Sequence, residues 1–240
     1  MSVLDPTSAS AAGTSVPVLV WDLPLRVFHW TLVLAVSGAF LTQWIGDAAF
    51  AVHMWCGYAV LVLVVFRLMW GAVGPKHARF VDFIRGPRAV LRSLSSLTRA
   101  GHVPRVGHTL LGGWMILLLL AIVGTQATLG LFSNDEITET GPLMGYVSAA
   151  LSRRLSGWHV ALSNVILAAV LVHVAAACFY RLVLRDDLIG PMISGHRRGV
   201  SPGEGIASQR LWLAIVLLAG AAVLLWWIIR SAPEPPLALM

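Results

Sequence analysis

Five stretches of about twenty apolar residues, separated by short polar connections, constrain this chain more than any other feature. They run over Pro24–Ile45, Ala51–Val73, His108–Phe132, Trp158–Leu184 and Leu211–Arg230. A helix rises about 1.5 Å per residue, so roughly 20 residues cross a hydrocarbon layer of about 30 Å. Inside that layer the backbone must satisfy its own hydrogen bonds, which a helix does within each segment. The sequence therefore predicts an all-α integral membrane fold. Composition agrees: 58% of the 240 residues are apolar and 12% are charged, about half the charged share of a soluble domain. Most of the ten tryptophans lie near the predicted span ends, including Trp21, Trp44, Trp55, Trp70, Trp158, Trp212, Trp226 and Trp227. That placement predicts an aromatic belt at headgroup depth.

The formal charge of +6 is not a nucleic-acid signature, because its basic residues gather between the apolar segments. The connection from 75 to 107 holds Lys76, Arg79, Arg85, Arg88, Arg92, Arg99 and Arg105 against Asp82 alone. The connection after the fourth segment adds Arg181, Arg185, Arg197, Arg198 and Arg210. On the other side stand Asp47, and then Asp135, Glu136 and Glu139, with Arg153 and Arg154 as the exception. The positive-inside rule then predicts a cytoplasmic N-terminus and an external C-terminus. Residues 1–20 contain no Lys or Arg, so they lack the basic start of a secretory signal and are expected to form a disordered tail. Pro87–Ala100 alternates apolar and basic residues, as an interfacial helix or a solvated loop would.

The chemistry is carried by histidines. His159 and His173 lie fourteen residues apart in the fourth segment, on one helix face and about 21 Å apart along the axis. His29 lies one or two turns into the first segment, and His53 lies near the start of the second. Threaded through the predicted topology, His53 matches His159 in depth, and His29 matches His173. A lone histidine at a membrane end is more often an interfacial residue than a ligand. Four that pair by depth point instead to two metal centres stacked across the layer, with haem as the first candidate. Cys56 and Cys178 form no C-x-x-C-H site and cannot supply four thiolates, so haem would be held by coordination alone.

The fourteen-residue offset also places Arg67 on the His53 face at the depth of His29 and His173, and Gln43 on the His29 face at the depth of His53 and His159. Arg67 and Arg26 face the same choice between pairing with haem propionates and snorkelling to headgroups. Gly57, one turn after His53, would let a flat macrocycle approach the backbone, or serve helix contact. His108 is expected at the interface, with a quinone pocket or a propionate contact as the alternatives, and Gln126, toward the far end of the third segment, is expected to contact a cofactor or hydrogen-bond a neighbouring helix. His77, His102 and His196 are expected to be solvated.

These residues carry a family resemblance. Val20-Trp21-Asp22-Leu23-Pro24-Leu25-Arg26-Val27-Phe28-His29-Trp30 resembles the opening of the bacterial cytochrome b561 and nickel–iron hydrogenase b-type cytochrome family. His53 with Gly57-Tyr58 and Arg67-Leu68-Met69-Trp70-Gly71 resembles its second helix, and His108 with Leu111-Gly112-Gly113 its third. His159 and His173, followed by Leu188-Ile189 and Met192-Ile193-Ser194-Gly195, resemble its fourth helix and exit. The resemblance covers residues 18–200 or so and implies a four-helix transmembrane bundle holding two haem b groups, ligated at His29, His53, His159 and His173. It implies electron transfer between the quinone pool and a partner, whether a hydrogenase, another dehydrogenase subunit or a c-type cytochrome. The fifth segment is then an additional helix, structural or for partner docking. The expected layout is a tail at 1–20, the dihaem domain at 21–200, and a linker with the extra helix at 201–240, in a bacterial inner membrane. Rival readings are a self-contained superoxide:quinone oxidoreductase and a histidine-lined metal or proton transporter. The transporter predicts intramembrane carboxylates, and the five segments contain none.

Overall fold

The computed structural model describes residues 16–86, 88–91, 106–134 and 139–233. Its long helices are α1 (Leu23–Ile45), α2 (Phe50–Val73), α4 (Leu110–Leu131), α5 (Ala149–Leu182) and α7 (Leu211–Arg230), with short helices α3 (Phe80–Phe83) and α6 (Ile189–Ser194) in the connections. All five long helices are long and apolar enough to cross a membrane. Leu34, Trp55, Leu171, Val172 and Trp212 lie on their exposed faces, as lipid-facing residues do. The protein is an all-α multi-pass membrane protein.

Each helix start has a local cause. The Asp22 carboxylate accepts the Leu25 N–H at 2.8 Å, and Pro24 follows in the first turn of α1, which satisfies one free donor and presets the backbone. Thr109 caps α4 through the Gly112 N–H, and Ser148 caps α5 through the Leu151 N–H. That last cap accounts for the largest departure from expectation. The fourth helix begins at Ala149, nine residues before the expected Trp158, and has 34 residues, a rise of about 51 Å that exceeds the membrane core. Its early turns carry a serine face against the connection from α4: Ser152 donates to the Phe132 carbonyl at 2.7 Å, and Ser156 to that of Asn134 at 3.1 Å.

Helices α1 and α2 pack as an antiparallel pair, α4 joins α2 and α5, and α7 lies against α2. Gly38 lets α1 approach closely, since a Cβ there would lie 2.9 Å from Cys56 Sγ. The two ends of the bundle differ. At the N-terminal end of α1 a dense core gathers Val20, Trp21, Leu25, Phe28, Phe66, Trp70 and Ala78. At its C-terminal end a cavity of about 420 Å³ opens among α1, α2, α4 and α5.

The dense end is closed by the connections. Strand β1 (Val18–Leu19) pairs antiparallel with β2 (His196–Arg197), and Asp186, 3% exposed, binds Arg197 beneath them. Gly195, at φ 85° beyond α6, offers its carbonyl to the N–H groups of Val20 and Trp21 at 2.9 and 3.1 Å. The expected tail at 1–20 is thus corrected for residues 18–20, which are built into this closure; residues 1–15 lie outside those described. Trp70 and Trp21 are corrected as well. They are 0% and 8% exposed, not belt residues, because the Trp70 indole N–H is held by the Asp22 carboxylate at 3.1 Å. His77 is buried rather than solvated, with Nε2 donating to the Glu204 carbonyl at 2.7 Å. His196 is exposed, as expected, and His102 lies outside the described residues. Residues 88–91 are helical, and most of the expected Pro87–Ala100 segment also lies outside them.

Candidate functional site

Helices α1, α2 and α5 bring the four intramembrane histidines into two facing pairs. The rings of His29 and His173 have centroids 6.4 Å apart, and those of His53 and His159 have centroids 6.2 Å apart. Two metal–imidazole bonds of about 2 Å, plus the distance of about 1.1 Å from each donor nitrogen to its ring centre, predict roughly 6.2 Å for imidazoles on opposite sides of one ion. Both pairs have that spacing.

The hydrogen bonds at the second pair fix which nitrogen is free. His159 Nδ1 lies 2.9 Å from the Gln126 carbonyl, and His53 Nδ1 lies 3.1 Å from that of Ala39 and 3.2 Å from Thr42 Oγ1. A carbonyl only accepts, so each Nδ1 carries the proton and each Nε2 keeps its lone pair. A neutral imidazole in that tautomer is ready to ligate. His29 Nδ1, by contrast, is enclosed and has no hydrogen-bond partner among the described residues.

The cavity around the second pair is lined chiefly by apolar residues, among them Val36, Phe40, Val123 and Ile166. Gly57 borders it, and a Cβ there would meet nothing within 4 Å; the glycine faces open space rather than a neighbouring helix. Gly130 is needed for closeness, since a Cβ would lie 3.0 Å from His159 Cε1. Gln43 also lines the cavity, and the Gln126 side-chain carbonyl is buried beside it without a partner among the described residues. Among the described residues, no three of His, Cys, Asp and Glu cluster as a bare metal ion would need. Two facing imidazoles beside an apolar slot instead fit haem, whose macrocycle supplies the remaining four nitrogens.

The sequence-predicted cations take different positions. Arg26 donates through Nη1 to the Ile193 carbonyl at 2.7 Å, and its Nε is enclosed without a partner among the described residues. Arg67 does not snorkel. It is 1% exposed, its guanidinium lies 4.7 Å from the centre of the Phe80 ring, and neither Nη finds a hydrogen-bond partner among the described residues. The Asp22 carboxylate is the opposite charge that acts on it. His108 is not a free interfacial residue either: its ring is held between Trp21 and Phe83, with centroids 4.4 and 4.3 Å away. Gln126 does reach the site, through its backbone carbonyl as well as its side chain, whereas Thr42 and Gly130 are parts of it that the sequence does not announce. A threonine or glycine inside an apolar helix carries no sequence signal that it faces a histidine of another helix.

The prokaryotic cytochrome b561 family model matches residues 20–195. A probable Ni/Fe-hydrogenase B-type cytochrome subunit of Cupriavidus necator is 25% identical, with 79% of this chain and 91% of the relative covered. Proteins of the same description from Rhizobium leguminosarum bv. viciae and Bradyrhizobium diazoefficiens are 27% and 26% identical, covering 82% and 75% of this chain and 97% and 86% of theirs. No solved structure matches significantly. The matched residues contain all four facing histidines, so family and geometry converge: the chain belongs to the prokaryotic cytochrome b561 family, a family of b-type membrane electron-transfer proteins.

Proposed function

We propose that this chain is a dihaem b-type cytochrome that passes electrons between a partner redox protein and the membrane quinone pool. The observation that carries the reading is the pair of facing-imidazole spacings, 6.4 and 6.2 Å, in which His29 of α1 and His53 of α2 each meet a histidine of α5. His29 with His173 would hold one haem b, and His53 with His159 the other. When bound, haem supplies reversible one-electron chemistry at iron. The chain's own residues fix the axial nitrogens, exclude water with an apolar sheath and set the separation along α5. Two centres about 21 Å apart along that helix divide a layer of about 30 Å into shorter electron-transfer steps.

The three relatives are described as hydrogenase subunits, which favours a hydrogenase as the partner. The distribution of basic residues supports a cytoplasmic N-terminus and an external C-terminus in a bacterial inner membrane. Arg26, Arg67 and His108 share the dense end of the bundle and present enclosed nitrogens without hydrogen-bond partners among the described residues. They are the candidate groups for haem propionates or a quinone there.

The test is haem stoichiometry by pyridine haemochrome in single and double variants. Two haems are expected in the parent and one in each of His29→Ala, His173→Ala, His53→Ala and His159→Ala. His53→Ala with His159→Ala keeps one, whereas His53→Ala with His29→Ala keeps none. Haem-free parent protein, or a His53/His159 double variant with none, would overturn the pairing.

A further inference from the structure

The two histidine pairs differ in a way that bears on their chemistry. At the second pair both Nδ1 nitrogens donate to backbone carbonyls, at 2.9 and 3.1 Å, and His53 has a further acceptor in Thr42 Oγ1 at 3.2 Å. At the first pair, His29 Nδ1 is enclosed and unpartnered among the described residues. Thr42 is 7% exposed, and its hydroxyl lies 2.9 Å from both the Gly38 and the Ala39 carbonyl oxygens. A threonine inside a helix commonly donates back to such a carbonyl. Here that donation also orients the hydroxyl, leaving an oxygen lone pair for the His53 N–H and polarising it as an acceptor.

A hydrogen bond at the distal nitrogen raises the basicity of a metal-bound imidazole. A more basic axial ligand stabilises the oxidised, more positive iron and lowers the reduction potential. Resting on the dihaem reading above, we propose that Thr42 is a positioning residue for His53 and that it helps make the His53–His159 centre the lower-potential of the two. The asymmetry is built from α1: Ala39 and Thr42 face His53 across the α1–α2 contact that Gly38 allows, and among the described residues nothing equivalent meets His29 Nδ1.

The test is a potentiometric measurement of the intact purified protein, followed at the b-haem absorbance band, in the parent, Thr42→Val and Thr42→Ser. Valine keeps the volume and removes the hydroxyl. Thr42→Val should retain both haems and raise only the lower midpoint, by about a threefold change in reduced-to-oxidised ratio at fixed potential, which is ~28 mV for a one-electron couple. Thr42→Ser should restore it. A threonine that merely filled space would leave both midpoints in place on Thr42→Val, and that result overturns the proposal. If Thr42→Val does not fold, the single-haem variants decide. The haem left in His29→Ala should have a lower midpoint than the haem left in His53→Ala, and the reverse order overturns the proposal. Haem-free parent protein overturns the dihaem reading itself, whereas two haems in the reverse order overturn this inference alone.

Discussion

Gly130→Ala is a one-carbon perturbation whose consequence can be worked through atom by atom. The added Cβ would lie 3.0 Å from His159 Cε1 and 3.4 Å from its Nδ1. Carbon atoms pack at about 3.5–4.0 Å, so the ring must give by roughly 0.5 Å or α4 must retreat by that amount. The same ring is tied to α4 by the hydrogen bond from Nδ1 to the Gln126 carbonyl, at 2.9 Å. A displacement of about 0.5 Å stretches that bond toward the limit of hydrogen bonding and forfeits most of its roughly 0.5–1.5 kcal/mol. Each 1.4 kcal/mol is tenfold in an equilibrium, so on the proposed dihaem reading haem affinity at the His53–His159 pair should fall by about two- to tenfold. The His29–His173 centre lies about 21 Å away along α5 and should not respond. The assay is haem retention during graded dilution into detergent, with low-spin ferric spectra to separate the two centres. Equal loss from both centres, or unchanged retention of both, would refute the argument that Gly130 is present to let α4 close on His159.

Two further perturbations address the dense end. Burial raises the Asp22 carboxyl above its ordinary value, against the opposing effect of its hydrogen bonds from Leu25 and Trp70. A group with a raised folded-state value contributes stability that is full below the unfolded value, about 3.9, and is lost as pH rises through the folded value. Asp22→Asn keeps both acceptor contacts but cannot ionise, so the parent's thermal midpoint should fall relative to the variant as pH rises from about 4 toward neutrality; a constant difference would rule this out. Asp22→Ala should cost about 2–4 kcal/mol in thermal unfolding, combining a lost cap with an orphaned Trp70 N–H. At Gly71 a Cβ would lie 2.1 Å from Phe80 Cε2, so Gly71→Ala must eject the ring that covers Arg67. The expected loss is about 1–3 kcal/mol of stability, and an unshifted melting curve would contradict it.

What the chain says of itself is set by local and periodic physics. Long apolar runs fix helices in a membrane because backbone groups there have no water to turn to, and this holds whichever way the helices pack. The fourteen-residue interval from His159 to His173 fixes a shared face and an axial distance, so depth matching could pair each histidine with a partner on another helix. The Asp22-Leu23-Pro24 start of α1 is equally local, since cap and proline act within one turn. Other features depend on neighbours far away in sequence. Ser152 and Ser156 extend α5 beyond the apolar run because their hydroxyls find carbonyls of the preceding connection. Trp70 leaves the membrane interface because Asp22, 48 residues earlier, accepts a hydrogen bond from its indole N–H. Arg67 is interior rather than snorkelling because Phe80 folds over it. The tautomers of His53 and His159, and the difference between the two pairs, come from the carbonyls of Ala39 and Gln126. Every residue has such a carbonyl, so no side-chain pattern can announce it; only the packing of α1 on α2 and of α4 on α5 decides which one an imidazole meets.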